Sequence, residues 1–182
     1  MKRRKDSLSH RPRAMAEKLA GESGLTLVEM LAGVVVLVLL GLLLNTGLQT
    51  AMSTYRSVTA KSELDLLLST AVDAIANDVR YARDVTVTGT RITYTSDSFG
   101  PGTSLTVDDT EGSATRGQIK ANGMRMLSTG AYGLDRAYKV KDMTITYAEP
   151  YFTINMTVTT QDESISAQTP EDGVVVRCLN PG

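Results

Sequence analysis

Polar and apolar positions change pattern several times along this chain. Residues 1–23 are polar and basic, show no apolar periodicity and carry Pro12 in their middle. An apolar run then begins: Leu25, Leu27 and Val28, then Met30, Leu31, Ala32, Gly33, Val34, Val35, Val36, Leu37, Val38, Leu39, Leu40, Gly41, Leu42, Leu43 and Leu44. The charge-free stretch extends from Met30 to Tyr55, more than the roughly 20 residues that cross a bilayer. Beyond it Leu64, Leu67, Leu68, Ala71, Val72, Ile75, Val79 and Ala82 recur at spacings of three and four, which marks one apolar face of a helix. Lys61, Glu63, Asp65, Asp73, Asp78 and Arg80 fall largely off that face. With no proline between Leu25 and Asp84, the pattern predicts one helix from Leu25 to about Arg83, roughly 90 Å long at 1.5 Å per residue. Gly33, Gly41 and Gly47 weaken it locally and are the places for a bend.

Alternation replaces helical spacing at Val85–Thr88, and again at Arg91–Thr95 after Gly89, which predicts a hairpin. Glycine and small polar residues dominate 96–134, which reads as turns with short strands near Ser104–Asp108 and Arg116–Lys120. Met143, Ile145 and Tyr147 alternate with threonines, and Phe152, Ile154, Met156 and Val158 alternate with Thr and Asn. Glu149-Pro150 between them predicts an antiparallel hairpin with one face buried. A last strand is expected at Val174–Leu179, after a loop at Gln161–Gly173 with a short strand at Ser164–Ala167.

The fold class these elements predict is α+β. A long N-terminal helix, membrane-spanning in its first half, packs its second half on a small antiparallel β-sheet domain. The expected divisions are a leader at 1–24, a transmembrane or assembly helix at 25–54, its amphipathic continuation at 55–84 and an extracytoplasmic β-rich domain at 85–182.

Charge adds orientation. Lys2, Arg3, Arg4, Lys5, Arg11, Arg13 and Lys18 outnumber Asp6, Glu17 and Glu22, and the chain from Leu25 onward is acidic. By the positive-inside rule the N-terminus is cytoplasmic and the β domain external. An acidic domain without clustered Lys and Arg gives no expectation of direct nucleic-acid binding.

One carboxylate, Glu29, lies between Val28 and Met30 at the head of the apolar run. A charge in a membrane segment costs roughly 2.5–3.5 kcal/mol and is usually functional, so Glu29 calls for a partner. Gly24-Leu25-Thr26-Leu27-Val28-Glu29 resembles the class III signal of type IV prepilins and pseudopilins: Gly, a hydrophobic residue, Thr, two aliphatics, then Glu. The likeness covers residues 24 to about 44 and departs at Leu25, where phenylalanine is commonest. A weaker likeness joins Asn77–Arg83 to the helix end of minor pilins and J-type pseudopilins.

The resemblance implies cleavage after Gly24 by a prepilin peptidase, N-methylation of Leu25, and assembly with other pilin or pseudopilin subunits into a filament. The implied assembly contact pairs Glu29 with the new ammonium on Leu25 of an adjacent subunit. Met30, Leu31, Val34, Val35, Val36, Leu37, Val38, Leu39, Leu40, Leu42, Leu43 and Leu44 would form the membrane helix, in the inner or cytoplasmic membrane before assembly and in the extracytoplasmic filament afterwards. The rival is a single-pass anchor whose external β domain binds a ligand or partner without polymerising.

Other chemistry finds little purchase. His10, the one histidine, lies in the leader, so a processed chain has no histidine catalyst or ligand. There is no Gly-Lys-Ser or Gly-Lys-Thr phosphate loop, no Gly-x-Gly-x-x-Gly and no Gly-x-Ser-x-Gly. No enzyme activity, cofactor or metal is expected. Asp108, Asp109 and Glu111 lack the spacing of a calcium loop and read as a solvated turn. Tyr81, Tyr94, Tyr132, Tyr138, Tyr147 and Tyr151 read as aromatics at the edge of a core. Cys178, the one cysteine, reads as a small buried hydrophobe in the last strand.

Overall fold

The computed structural model describes residues 26–180. The leader, Gly24 and Leu25 lie outside the described residues. The fold is α+β, with one long N-terminal helix followed by small antiparallel sheets. Helix α1 runs from Leu27 to Arg80, and the chain divides into two units after Met52. Within the first unit the helix is continuous through Gly33, Gly41 and Gly47, with no melted segment there. A methyl group added at any of these glycines would meet nothing within 4 Å.

In the second unit α1 carries the predicted stripe. Leu64, Ala71, Ile75 and Val79 are fully buried, and Leu67, Val72 and Ala76 nearly so; Leu68 is half-buried. These residues pack against the largest sheet, built around β7 (Tyr138–Ala148) and β8 (Tyr151–Thr160). The two strands pair in the register Met143↔Met156, Ile145↔Ile154, Tyr147↔Phe152. Phe152, Ile154, Met156 and Val158 are therefore on one face and all buried. The turn between the strands holds a cis Glu149-Pro150 peptide bond. On the far side of β8 lie β9 (Ser166–Gln168), opposite Thr157–Thr159, and β10 (Val174–Arg177), opposite Tyr151–Ile154.

Two smaller sheets complete the domain. The expected hairpin is β1 (Arg83–Thr88) and β2 (Arg91–Ser96), to which β3 (Gly100–Thr103) adds as a third strand. The other holds β4 (Leu105–Val107), β5 (Ile119–Ala121) and β6 (Met124–Arg125). Asn122 and Gly123 join β5 to β6 with φ of 51° and 78°, the left-handed pair that a two-residue hairpin turn requires. Helix α1 ends earlier than the periodicity suggests, because Arg83 already pairs with Thr95 in the first sheet. Ala82 keeps its predicted burial from the turn.

Candidate functional site

The head of the helix is closed by its own sequence. The Thr26 N–H donates to Glu29 Oε2 at 2.9 Å, and the Thr26 hydroxyl donates to the same oxygen at 3.0 Å. The Glu29 N–H donates back to Thr26 Oγ1 at 3.2 Å. This reciprocal arrangement satisfies helix N–H groups that have no partner in the first turn. Glu29, expected to need a partner, finds one three positions earlier in its own chain, at the Thr-x-x-Glu spacing of a capping box. The bonds engage Oε2; no partner to Oε1 is recorded among the described residues. The box lies wholly past the Gly24-Leu25 bond.

Downstream the helix is apolar all round and uncovered. Leu27, Val28, Met30, Leu31, Val34 to Leu40 and Leu42 to Leu44 are all exposed, between 49% and 80%. A helix hydrophobic on every side needs an apolar surround, and this one is long and apolar enough to cross a membrane. Where polar side chains enter, the helix absorbs them: Thr46 Oγ1 donates to the Leu42 carbonyl at 2.9 Å and Thr50 Oγ1 to the Thr46 carbonyl at 3.0 Å.

In the β domain, two carboxylates off the apolar stripe tie α1 to the sheets. Asp78 accepts from Tyr94 through Oδ2 and from Ser96 through Oδ1, both at 2.5 Å. Glu63 Oε2 accepts from the Tyr138 hydroxyl at 2.6 Å. Burial, then the adjacent Asp78 carboxylate, pushes the Tyr94 hydroxyl far above the usual tyrosine range. The same causes, with Glu63, push Tyr138 up to about 12. Both phenols stay protonated donors at any physiological pH. The remaining tyrosines divide: Tyr132 is buried and its hydroxyl accepts the Ile119 N–H at 2.8 Å, whereas Tyr81 and Tyr151 are about half-exposed.

The acidic cluster is a solvated turn except at Asp108. Asp109 and Glu111 are exposed, but Asp108 is buried. Its carboxylate accepts from Thr115 Oγ1 at 2.5 Å, Ser113 Oγ at 2.8 Å, Lys120 Nζ at 2.9 Å and the Thr110 N–H at 3.1 Å. Thr115 first, then Lys120 and Ser113, hold it well below the usual carboxylate range. A carboxylate so fully engaged organises the loop that carries it. The described residues include no group of three or more His, Cys, Asp or Glu that could hold a metal ion. Cys178 is buried as expected but sits just past β10; its thiol donates to the Ala82 carbonyl at 3.2 Å. Comparison with protein-family models, with curated proteins and with solved structures finds no match to this chain.

Proposed function

We propose that the chain is a subunit, in a minor role, of a type IV pilus-like or pseudopilus filament, made as a membrane-anchored precursor. The observation that supports it most is a self-capped helix, apolar on all sides and exposed from Leu27 to Leu44, beginning two residues after a Gly24-Leu25 junction of prepilin type. In this reading a prepilin peptidase cuts after Gly24, Leu25 becomes the methylated N-terminus, and the capping box survives because Thr26 and Glu29 both remain. The helix holds the precursor in the membrane with the leader in the cytoplasm, then moves into the filament core against other subunits. Glu29 Oε1 receives the Leu25 ammonium of a neighbour, and pairing sets the axial register because an unpaired charge there is costly. The role is structural and assigns no catalysis.

The test separates charge from capping. Glu29→Gln keeps an acceptor for Thr26, since glutamine also serves in this box, but removes the charge. We expect Glu29→Gln to insert in the membrane normally and to enter filaments at least about tenfold less, as loss of one charged pair implies. Equal incorporation of wild type and Glu29→Gln would refute the pairing. Intact mass of the membrane-resident protein tests the processing: a chain still starting at Met1 would make it a single-pass anchor.

A further inference from the structure

A cleft of about 710 Å³ in the β domain opens beside β7. Its floor is core: Val79 from α1, Tyr94 from β2 and Phe152 from β8, all nearly or fully buried. Its walls are Met143 and Ile145 of β7 facing Leu105 of β4. Among the described residues both walls are strand edges that pair in a ladder on one side only. β7 ends one side of its sheet, and β4 ends one side of its own. The β7 edge is covered at its start, where the Val140 N–H donates to the Gly117 carbonyl at 2.8 Å. From Met143 to Ala148 no backbone bond beyond those to β8 is recorded among the described residues.

Natural edge strands are usually protected by charges, proline or a bulge. Here the charges Lys139, Lys141 and Asp142 and the bulge between Val140 and Asp142 all fall in the first half of β7. The second half, Met-Thr-Ile-Thr-Tyr-Ala, has none of them. Among the described residues the one charged residue lining the cleft is Arg91, whose guanidinium donates to the Ser104 hydroxyl at 3.3 Å. The cleft thus offers unpaired backbone on two sides, an apolar floor, and one cation at the mouth.

We propose that this cleft takes an extended peptide segment of a partner protein, which adds as a strand to the open edge of β7. The segment is apolar at alternate positions, so that every second side chain enters the cleft, and carries one carboxylate that pairs with Arg91. This inference is independent of the filament reading.

The test uses the full chain in lipid nanodiscs and a fluorescent probe, Thr-Val-Thr-Ile-Thr-Asp, followed by polarisation up to about 1 mM. We expect saturable binding, slowed hydrogen exchange at the amides of 143–148, and a loss of at least about tenfold in Arg91→Glu. A probe with lysine in place of its aspartate should bind Arg91→Glu better than wild type, which also shows that the variant is folded. Methylating alternate amide nitrogens of the probe, in one of the two possible phases, should abolish binding. The proposal is overturned by absence of binding, by indifference to Arg91→Glu, or by equal binding of both methylated probes. Displacement by laurate together with that indifference to methylation would make the cleft an acyl-chain pocket and also overturn it.

Discussion

Tyr94→Phe deletes one oxygen at the tie between helix and sheet. The ring remains, with its edge contact to Phe152 at a centroid distance of 6.2 Å. What disappears is the 2.5 Å bond to the Asp78 carboxylate, in surroundings where Tyr94 is 3% exposed. Hydrogen bonds to charged groups contribute about 1.5–3 kcal/mol. Asp78 keeps its bond from Ser96 and is only half-buried, so the carboxylate recovers part of its solvation and the loss should be near ~2 kcal/mol. For a domain of this size that lowers Tm by about 5–10 °C. The assay is urea and thermal unfolding of the full chain in detergent micelles, followed by circular dichroism of the β signal. Asp78→Ala and the double variant close a cycle whose coupling should be about 1–2 kcal/mol. A loss under about 0.5 kcal/mol, or the same Tyr94→Phe loss with and without Asp78, would show that the bond does not hold the helix to the sheet.

Two further outcomes are expected. Gly117 has φ of +74°, and a methyl group there would lie 2.5 Å from Lys139 Cβ; Gly117→Ala should cost about 2–4 kcal/mol from strain and overpacking together, read by the same unfolding assay. Glu163 accepts from Lys139 and Lys141 at 2.8 Å each, and these lysines hold its carboxyl down to about 2. Its pKa is lower folded than unfolded, so its contribution is present above the ordinary carboxylate range and fades as pH falls towards 2. Glu163→Gln should therefore flatten the acid limb of the stability profile between about pH 4.5 and 2 while leaving the alkaline limb unchanged. An unaltered acid limb would count against those ion pairs.

The helix was legible because lipid-like and amphipathic stretches each leave a strong pattern: continuously apolar from Met30 to Leu44, then every third or fourth position from Leu64 to Ala82. The hairpin of β7 and β8 was legible from alternation, but the first residues of β7 were not. Lys139, Lys141 and Asp142 break the alternation there, and a bulge shifts the register between Val140 and Asp142. The third strand Gly100–Thr103 hid behind two glycines and a proline, residues that ordinarily mark turns. The partners of Asp78 and Glu63 are distant hydroxyls, and those of Asp108 are two loop hydroxyls, a loop N–H and the Lys120 ammonium; no apolar periodicity foretells such contacts. The capping of Glu29 is the reverse case, since its Thr-x-x-Glu signal is local and needed only to be set beside the apolar run.

At the end of the described chain the Leu179 N–H donates to the Arg80 carbonyl at 2.8 Å, and the Cys178 N–H donates to the Pro150 carbonyl at 2.7 Å. The last strand thus fastens the place where the helix stops. During synthesis from the N-terminus, that seam cannot close until Leu179 has emerged. Until then the apolar stripe of α1 lacks one of its covering strands, and it is in this interval that the nascent domain is open to proteases and to mispairing.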